Sequence, residues 1–414
     1  MYFVLFLALA QISQACDLVD SQNVHKSLWP PCPAEVISYI LVFTICNLAN
    51  ATGIGGGGML VPLLILLMQF EPRKAIPLSK AIILGGAIIS VAMSLSGKNK
   101  NLIDFRIVSL LQPMILLGTA VGVALNQIFP ESVILILLTL TLCYVIYKTT
   151  TKAISLFKKE TEQFEIEKNK NKEDDLQAGE LELVSKGTTS EFSYTFESHP
   201  ETPKLPMNSI CLICLNYFSI LLFALMKGGG AGENQAKSII GLSACSTGYW
   251  LLVAFYIIFC IFSTLQAYKY ARSILKWSKS NLICYSSIAF LGGIGSGMLG
   301  LGGGVIISPL MLDIGVSPQS TAASSSLMVL FTSSSTTLQF FLGDMLDVQY
   351  ASIMFGISML SSLTGITIVG GLIKKYKRPS IIVFLLAGVT GFSAILLPFY
   401  AFQMKKSNSS HGLC

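Results

Sequence analysis

Residues 75–95, 133–147, 210–226, 250–265, 350–373 and 381–402 form long apolar stretches almost free of charge. Each has, or approaches, the roughly 20 residues that cross the hydrocarbon core of a bilayer as a helix. A soluble domain carries about a quarter charged residues; here the charged fraction is 12% and the apolar fraction 52%. Backbone groups in lipid must be satisfied within the segment itself, and helices do this. The expected fold class is therefore all-α, a polytopic integral membrane protein whose first partner is the lipid bilayer. The net charge of +6 sits mostly in the intervening loops. Membrane orientation accounts for it, and no continuous basic face of the kind nucleic acid requires is present.

Within this apolar frame one motif occurs twice. Gly53-Ile54-Gly55-Gly56-Gly57-Gly58 is followed by Met59-Leu60-Val61-Pro62, and Gly300-Leu301-Gly302-Gly303-Gly304 by Val305-Ile306-Ile307-Ser308-Pro309. In both copies a proline stands nine residues after the first glycine, and a second proline (Pro72, Pro318) opens a serine-containing helix. Paired, glycine-broken apolar segments in the two halves of a chain are the pattern of a transporter binding site. A single helix over residues 36–70 would be about 50 Å long, too long for one crossing without steep tilt. Two half-helices in a re-entrant hairpin fit better.

Lysine and arginine placement orients the chain, because cytoplasmic loops are enriched in them. With the first hairpin opening outside, Lys98, Lys100 and Arg106 fall inside, residues 126–131 outside and the charged segment 148–204 inside. Residues 227–237 are then outside, and Lys269, Arg272, Lys276 and Lys279 inside. If residues 282–312 form a second hairpin, Lys374-Lys375-Tyr376-Lys377-Arg378 also lies inside. A straight crossing would put that cluster outside. The expectation is thus about eight full spans plus two glycine-broken re-entrant hairpins, entered from opposite faces, as inverted-topology repeats.

The remaining organisation follows from composition. Residues 1–15 read as a signal peptide without the usual positive start, with a short uncleaved apolar anchor as the alternative, and residues 16–35 as an external segment. Residues 36–152 and 282–403 are the two membrane repeats, with connecting spans and loops over 207–281. Residues 153–206 hold too few large apolar side chains for a core and read as a disordered cytoplasmic linker. Residues 404–414 are an external tail, with a glycosylation triplet at Asn408. Cys46, Cys143, Cys260 and Cys284 read as small hydrophobes. Cys211 and Cys214 have CxxC spacing without the strand context of a redox motif. Cys16, Cys32, Cys245 and Cys414 all fall on the outside, with no pairing readable.

The motif pair, with its downstream serine helices, resembles the TauE/SafE family of sulfite exporters over residues 33–147 and 282–402. The stretch from Lys227-Gly228-Gly229 to Cys245-Ser246-Thr247-Gly248-Tyr249-Trp250 resembles the longer, plant-like branch. The resemblance implies transport of small anions, with sulfite and organosulfonates as the known class. It implies no cofactor and no enzymatic activity.

The residues themselves suit an anion. A helix broken at membrane depth exposes N–H groups at the positive end of its dipole, and glycine lets the backbone approach a ligand. The candidate binding residues are Gly53, Gly55, Gly56, Gly57 and Gly58 in the first break and Gly300, Gly302, Gly303 and Gly304 in the second. Gly292, Gly293, Gly295 and Gly297 read instead as helix-packing residues. Asn47, Asn50 and Thr52 precede the first break and can donate hydrogen bonds. Aligning the prolines sets Ser79 against Ser325 and Lys80 against Ser326, with packing hydroxyls the plainer reading of the serines. Lys80 is either an intramembrane functional cation or a lysine snorkelling to the outer interface.

Two look-alikes are rejected. Gly53–Gly58 spells the GxGxxG dinucleotide fingerprint but lacks its strand and downstream acid. Gly295-Ser296-Gly297 suggests a serine nucleophile, but His25, His199 and His411 all lie outside the spans, so it has no base. No acidic residue lies deep in a span, which leaves a carboxylate proton relay without a candidate. An anion channel and a non-transporting membrane scaffold or receptor stand as the alternatives to a carrier.

Overall fold

The computed structural model describes residues 33–51, 53, 55–68, 70–96, 102–178, 207–228, 238–241, 246–275, 279–376 and parts of 380–391. The expected signal peptide, external segment and tail lie outside these residues, as do Thr52, Cys16, Cys32, Cys245 and Cys414. Among the described residues every regular element is a helix. They are α1 (Pro33–Ala51), α2 (Gly57–Leu66), α3 (Pro72–Ser96), α4 (Phe105–Ile128), α5 (Glu131–Ala178) and α6 (Met207–Lys227). Then come α7 (Thr247–Leu275), α8 (Lys279–Leu299), α9 (Gly304–Ile314), α10 (Pro318–Leu342) and α11 (Val348–Tyr376).

Seven of these, α3 to α8 and α11, contain segments long and apolar enough to cross a membrane. The protein is an all-α, polytopic membrane protein. Most of the last expected span, residues 381–402, lies outside the described residues.

Each glycine run interrupts helix, as its composition predicts. Gly53, Gly55 and Gly56 have φ of 75°, 79° and 77°, and Gly300 has 72°. These left-handed values are incompatible with continued right-handed helix and cost a side chain about 1–2 kcal/mol. The helices that follow, α2 and α9, have 10 and 11 residues, about 15 Å each, half the thickness of a bilayer core. Both fold back. A Cβ on Gly56 would sit 3.9 Å from Ile45 Cγ2, and Ile306 Cγ2 lies 3.2 Å from the Cβ position of Gly292. A straight helix would hold residues 11 apart by about 16 Å.

The long helices pack through matched, crossed pairs. Gly118 and Gly122 of α4 meet Gly293 and Gly297 of α8, with the Gly118 Cβ position 2.9 Å from Gly293 Cα. Small residues at i, i+4 on both helices let the backbones approach this closely, so Gly293 and Gly297 are packing glycines as expected. In the same way Gly365 of α11 lies against the carbonyl of Asn47 on α1. Thus α8 lies on α4, and α1 lies on α11. Helices α3 and α10 cross at the centre.

Helix ends gather into two groups. Phe70 stacks edge-on with Tyr350 at 5.2 Å, and Gln127 Nε2 lies 3.3 Å from the Cβ position of Gly343. In the second group Asp104 N donates to Ser324 Oγ at 2.9 Å, and Ala153, Leu156, Leu312 and Val383 form one apolar cluster.

Helix α5 departs from the expected linker. It continues through Ala178, across the first part of the segment read as disordered, because that stretch is built of Lys, Glu, Leu, Gln and Ala, all good helix formers. The six described cysteines, Cys211 and Cys214 among them, are free thiols.

Candidate functional site

The two breaks meet. A Cβ on Gly57 would lie 2.5 Å from Gly302 N and closer still to the Gly300 carbonyl oxygen. A Cβ on Gly55 would lie 2.6 Å from Ile83 Cγ2 and 3.0 Å from Val329 Cγ1. Ile83 and Val329 stand at mid-length of α3 and α10, so the breaks cross where those helices cross. Glycine is required here for close approach of one backbone to another.

Each serine helix bonds to the break of the other half. Ser79 Oγ donates to the Ile76 carbonyl at 2.7 Å and also lies 3.4 Å from the Gly300 carbonyl. Ser325 Oγ donates to the Gly53 carbonyl at 2.9 Å and lies 3.2 Å from the Ala322 carbonyl. Breaking a helix leaves carbonyls without intrahelical partners, and these hydroxyls satisfy them. The sequence alignment of Ser79 with Ser325 thus corresponds to matched contacts. Ser326 bonds within its own helix, to the Ala322 carbonyl at 2.8 Å.

Lys80 is the one charged side chain at this crossing among the described residues. It is 0% exposed, which excludes the snorkelling alternative. Its ammonium donates to the Leu301 carbonyl at 2.6 Å and to Ser296 Oγ at 2.8 Å. Both partners are neutral. Two of its three N–H donors are used, and a buried charge compensated only by neutral groups carries a desolvation cost of several kcal/mol. A Cβ on Gly303 would lie 3.2 Å from Thr332 Oγ1 and 3.8 Å from Ser296 Oγ. Lys80, Ser296, Thr332 and Gly303, beside the first turn of α9, therefore make one polar cluster. It holds hydroxyls, an ammonium and a helix N-terminus, the groups that stabilise an oxyanion.

Other sequence candidates fall around this cluster. Gly302 and Gly304 are buried in the second break, and a Cβ on Gly58 would lie 3.0 Å from Leu142 Cδ2. Asn50 is buried with its amide over Gly86, while its main-chain oxygen accepts from Gly53 N at 3.2 Å. Asn47 turns to α11 and donates to Thr364 Oγ1 at 2.6 Å, so the two asparagines do not converge on one point. Sequence reasoning missed Ser296 and Thr332. Ser296 was weighed only as a nucleophile, although a hydroxyl four residues before the second break was its signal. Thr332 is one hydroxyl among many on α10 and carries no distinguishing signal.

Two broken helices crossing at a buried cation inside a multi-pass helical frame define the class, a membrane transporter. A family model described as Sulfite exporter TauE/SafE matches residues 38–179 and 216–402, and the chain belongs to that family. It is 30% identical over 391 residues to Sulfite exporter TauE/SafE family protein 2 of Arabidopsis thaliana, covering 89% of this chain and 83% of the relative. With family protein 1 of the same plant it shares 30% identity over 397 residues, covering 91% and 86%. With family protein 5 it shares 29% over 377 residues, covering 88% and 82%. No solved structure matches the chain.

Proposed function

We propose that this protein carries a small oxyanion, such as sulfite or an organosulfonate, out of the compartment facing the α5 extension by alternating access. The carrying observation is the burial of Lys80 at the crossing of the breaks, bonded only to neutral groups. A bound anion would compensate that charge. The remaining ammonium donor, the Ser296 and Thr332 hydroxyls and the backbone at Gly303 and Gly304 are its candidate ligands. Because Lys80 is reached from neither side in this conformation, the breaks must part before an ion can bind or leave. That favours a carrier over a continuously open channel.

Alternating access needs two related halves, and we read them as inverted. In that reading residues 70–74, 126–131 and 343–347 share the outer side, while residues 97–104, 148–160, 313–317 and 374–380 share the inner side. The two groups of contacting helix ends support it, as do the crossed pairs α4–α8 and α1–α11. The names of the plant relatives support the substrate class.

Counterflow of sulfite or methanesulfonate in proteoliposomes tests the reading. External substrate should stimulate efflux of labelled internal substrate, and flux that is purely conductive would refute a carrier. Lys80→Met should reduce exchange at least tenfold while thermal stability in detergent stays equal or rises, because a lone buried charge has been removed. Unchanged exchange in that variant would exclude Lys80 as the counter-charge.

A further inference from the structure

Helix α5 runs beyond membrane length, and the face of its extension is buried. Thr149, Ala153, Leu156 and Glu160 are all covered, at the i, i+4, i+7, i+11 spacing of one helix face. Ala153 and Leu156 cluster with Val383 and with Leu312, in the last turn of α9. Phe157 meets Phe384 edge-on at 5.9 Å. The extension is therefore an arm laid across the end of the second broken element.

A buried carboxylate fastens the arm. Glu160, 7% exposed, accepts from Ser380 N at 2.8 Å through Oε1 and from Ser380 Oγ at 2.6 Å through Oε2. Residues 380, 381, 383 and 384 are helical. Hydrogen bonds accepted by a carboxylate are charge-assisted and stronger than neutral ones. Glu160 supplies the carboxylate from 220 residues away. A second observation points to the same serine. It follows Lys374-Lys375-Tyr376-Lys377-Arg378-Pro379, which places basic residues two and three positions before a hydroxyl, the pattern read by basophilic serine kinases.

We propose that Ser380 is a phosphorylation site for a basophilic kinase and that its phosphate releases the α5 arm from the second broken element. This rests on the proposed sidedness, which places Ser380 and the arm in the compartment that supplies ATP. In the transfer, Ser380 Oγ bonds to the γ-phosphorus of ATP as the bond to ADP breaks, and the hydroxyl proton passes to the kinase base. The phosphoserine carries a charge of about −1.5 to −2 and replaces the hydroxyl from which Glu160 now accepts. Carboxylate and phosphate repel at one site, so the arm leaves and Leu312 is uncovered. Ser380 is 1% exposed while the arm is docked. Loosening the arm therefore speeds modification, and modification keeps the arm off.

The test uses purified full-length protein in detergent, ATP with magnesium and the catalytic subunit of a basophilic kinase. Phosphate is mapped by mass spectrometry and arm docking is followed by limited proteolysis within residues 158–172. Phosphate is expected on Ser380, several-fold faster in Glu160→Gln and absent there in Ser380→Ala, with faster arm cleavage after modification. Glu160→Lys should show the reverse, a loose arm that becomes protected once Ser380 is phosphorylated. The proposal is overturned if Ser380 takes no phosphate in either wild type or Glu160→Gln. It is equally overturned if phosphate leaves arm cleavage unchanged. Neither readout measures flux, so failure here leaves the anion-carrier reading standing, and loss of that reading leaves this one testable.

Discussion

Gly57 occupies a position where no side chain fits, because the backbone of the second break lies against its Cα. Gly57→Ala would press a methyl on the Gly300 carbonyl and on Gly302 N at 2.5 Å. Neither is a movable side-chain tip, so the expected cost is about 3 kcal/mol, the upper range for overpacking. Gly315 is the contrast. Its φ is 97°, but nothing lies within 4 Å of its Cβ position, so Gly315→Ala should cost about 1 kcal/mol through conformation alone. Melting of the two variants in detergent measures the difference. Equal losses would mean that close approach at the breaks contributes nothing. The run of glycines was legible in the sequence as a backbone feature, but its neighbour was not. In this conformation Gly53, Gly57 and Gly300 face protein atoms.

At the scale of elements, the same glycine-rich helix carries glycines of unequal importance. Gly118 and Gly293 sit where α4 and α8 touch backbone to backbone, at 2.9 Å from the Cβ position of either glycine to the Cα of the other. Gly292, one residue away, faces side-chain atoms and no backbone, with Ile306 Cγ2 at 3.2 Å and Ile307 Cδ1 at 3.8 Å from its Cβ position. Gly293→Ala should therefore lower the melting temperature sharply and Gly292→Ala only slightly. A similar loss in both would show that the α4–α8 contact yields easily. Helix existence was readable from apolar length and from breaks at glycine and proline. Where a helix would end was less readable in α5, since propensity carried it through a segment whose low apolar content had suggested disorder. What that segment packs against, Leu312 and Val383, could not be read from its own residues.

The whole molecule turns on whether the second broken element returns to its starting side. If it does, Asp313 and Lys375 share the inner side and Asp344 is outside. A straight crossing exchanges all three. Asp313 and Asp344 are both exposed, so Asp313→Cys and Asp344→Cys can be labelled with a membrane-impermeant maleimide on intact cells. Label on Asp344→Cys alone is expected, and label on Asp313→Cys alone would overturn the inverted arrangement.

Composition and pattern alone determined that the chain is an α-helical membrane protein, because uncompensated backbone cannot remain in lipid. They also determined that it breaks twice at matched glycines and follows each break with a serine helix. These are local properties, set by residue type and spacing within some twenty residues. The tertiary structure decided which parts meet. Ser79 lies 221 residues from Gly300, and Ser325 lies 272 from Gly53. Contacts over such separations depend on the packing of the intervening helices. Lys80 shows the division most clearly. Its sequence position allowed either a snorkelling lysine or a buried one. Only the crossing of α3 with the second break, which encloses the ammonium between Ser296 and Leu301, made it the cation at the centre.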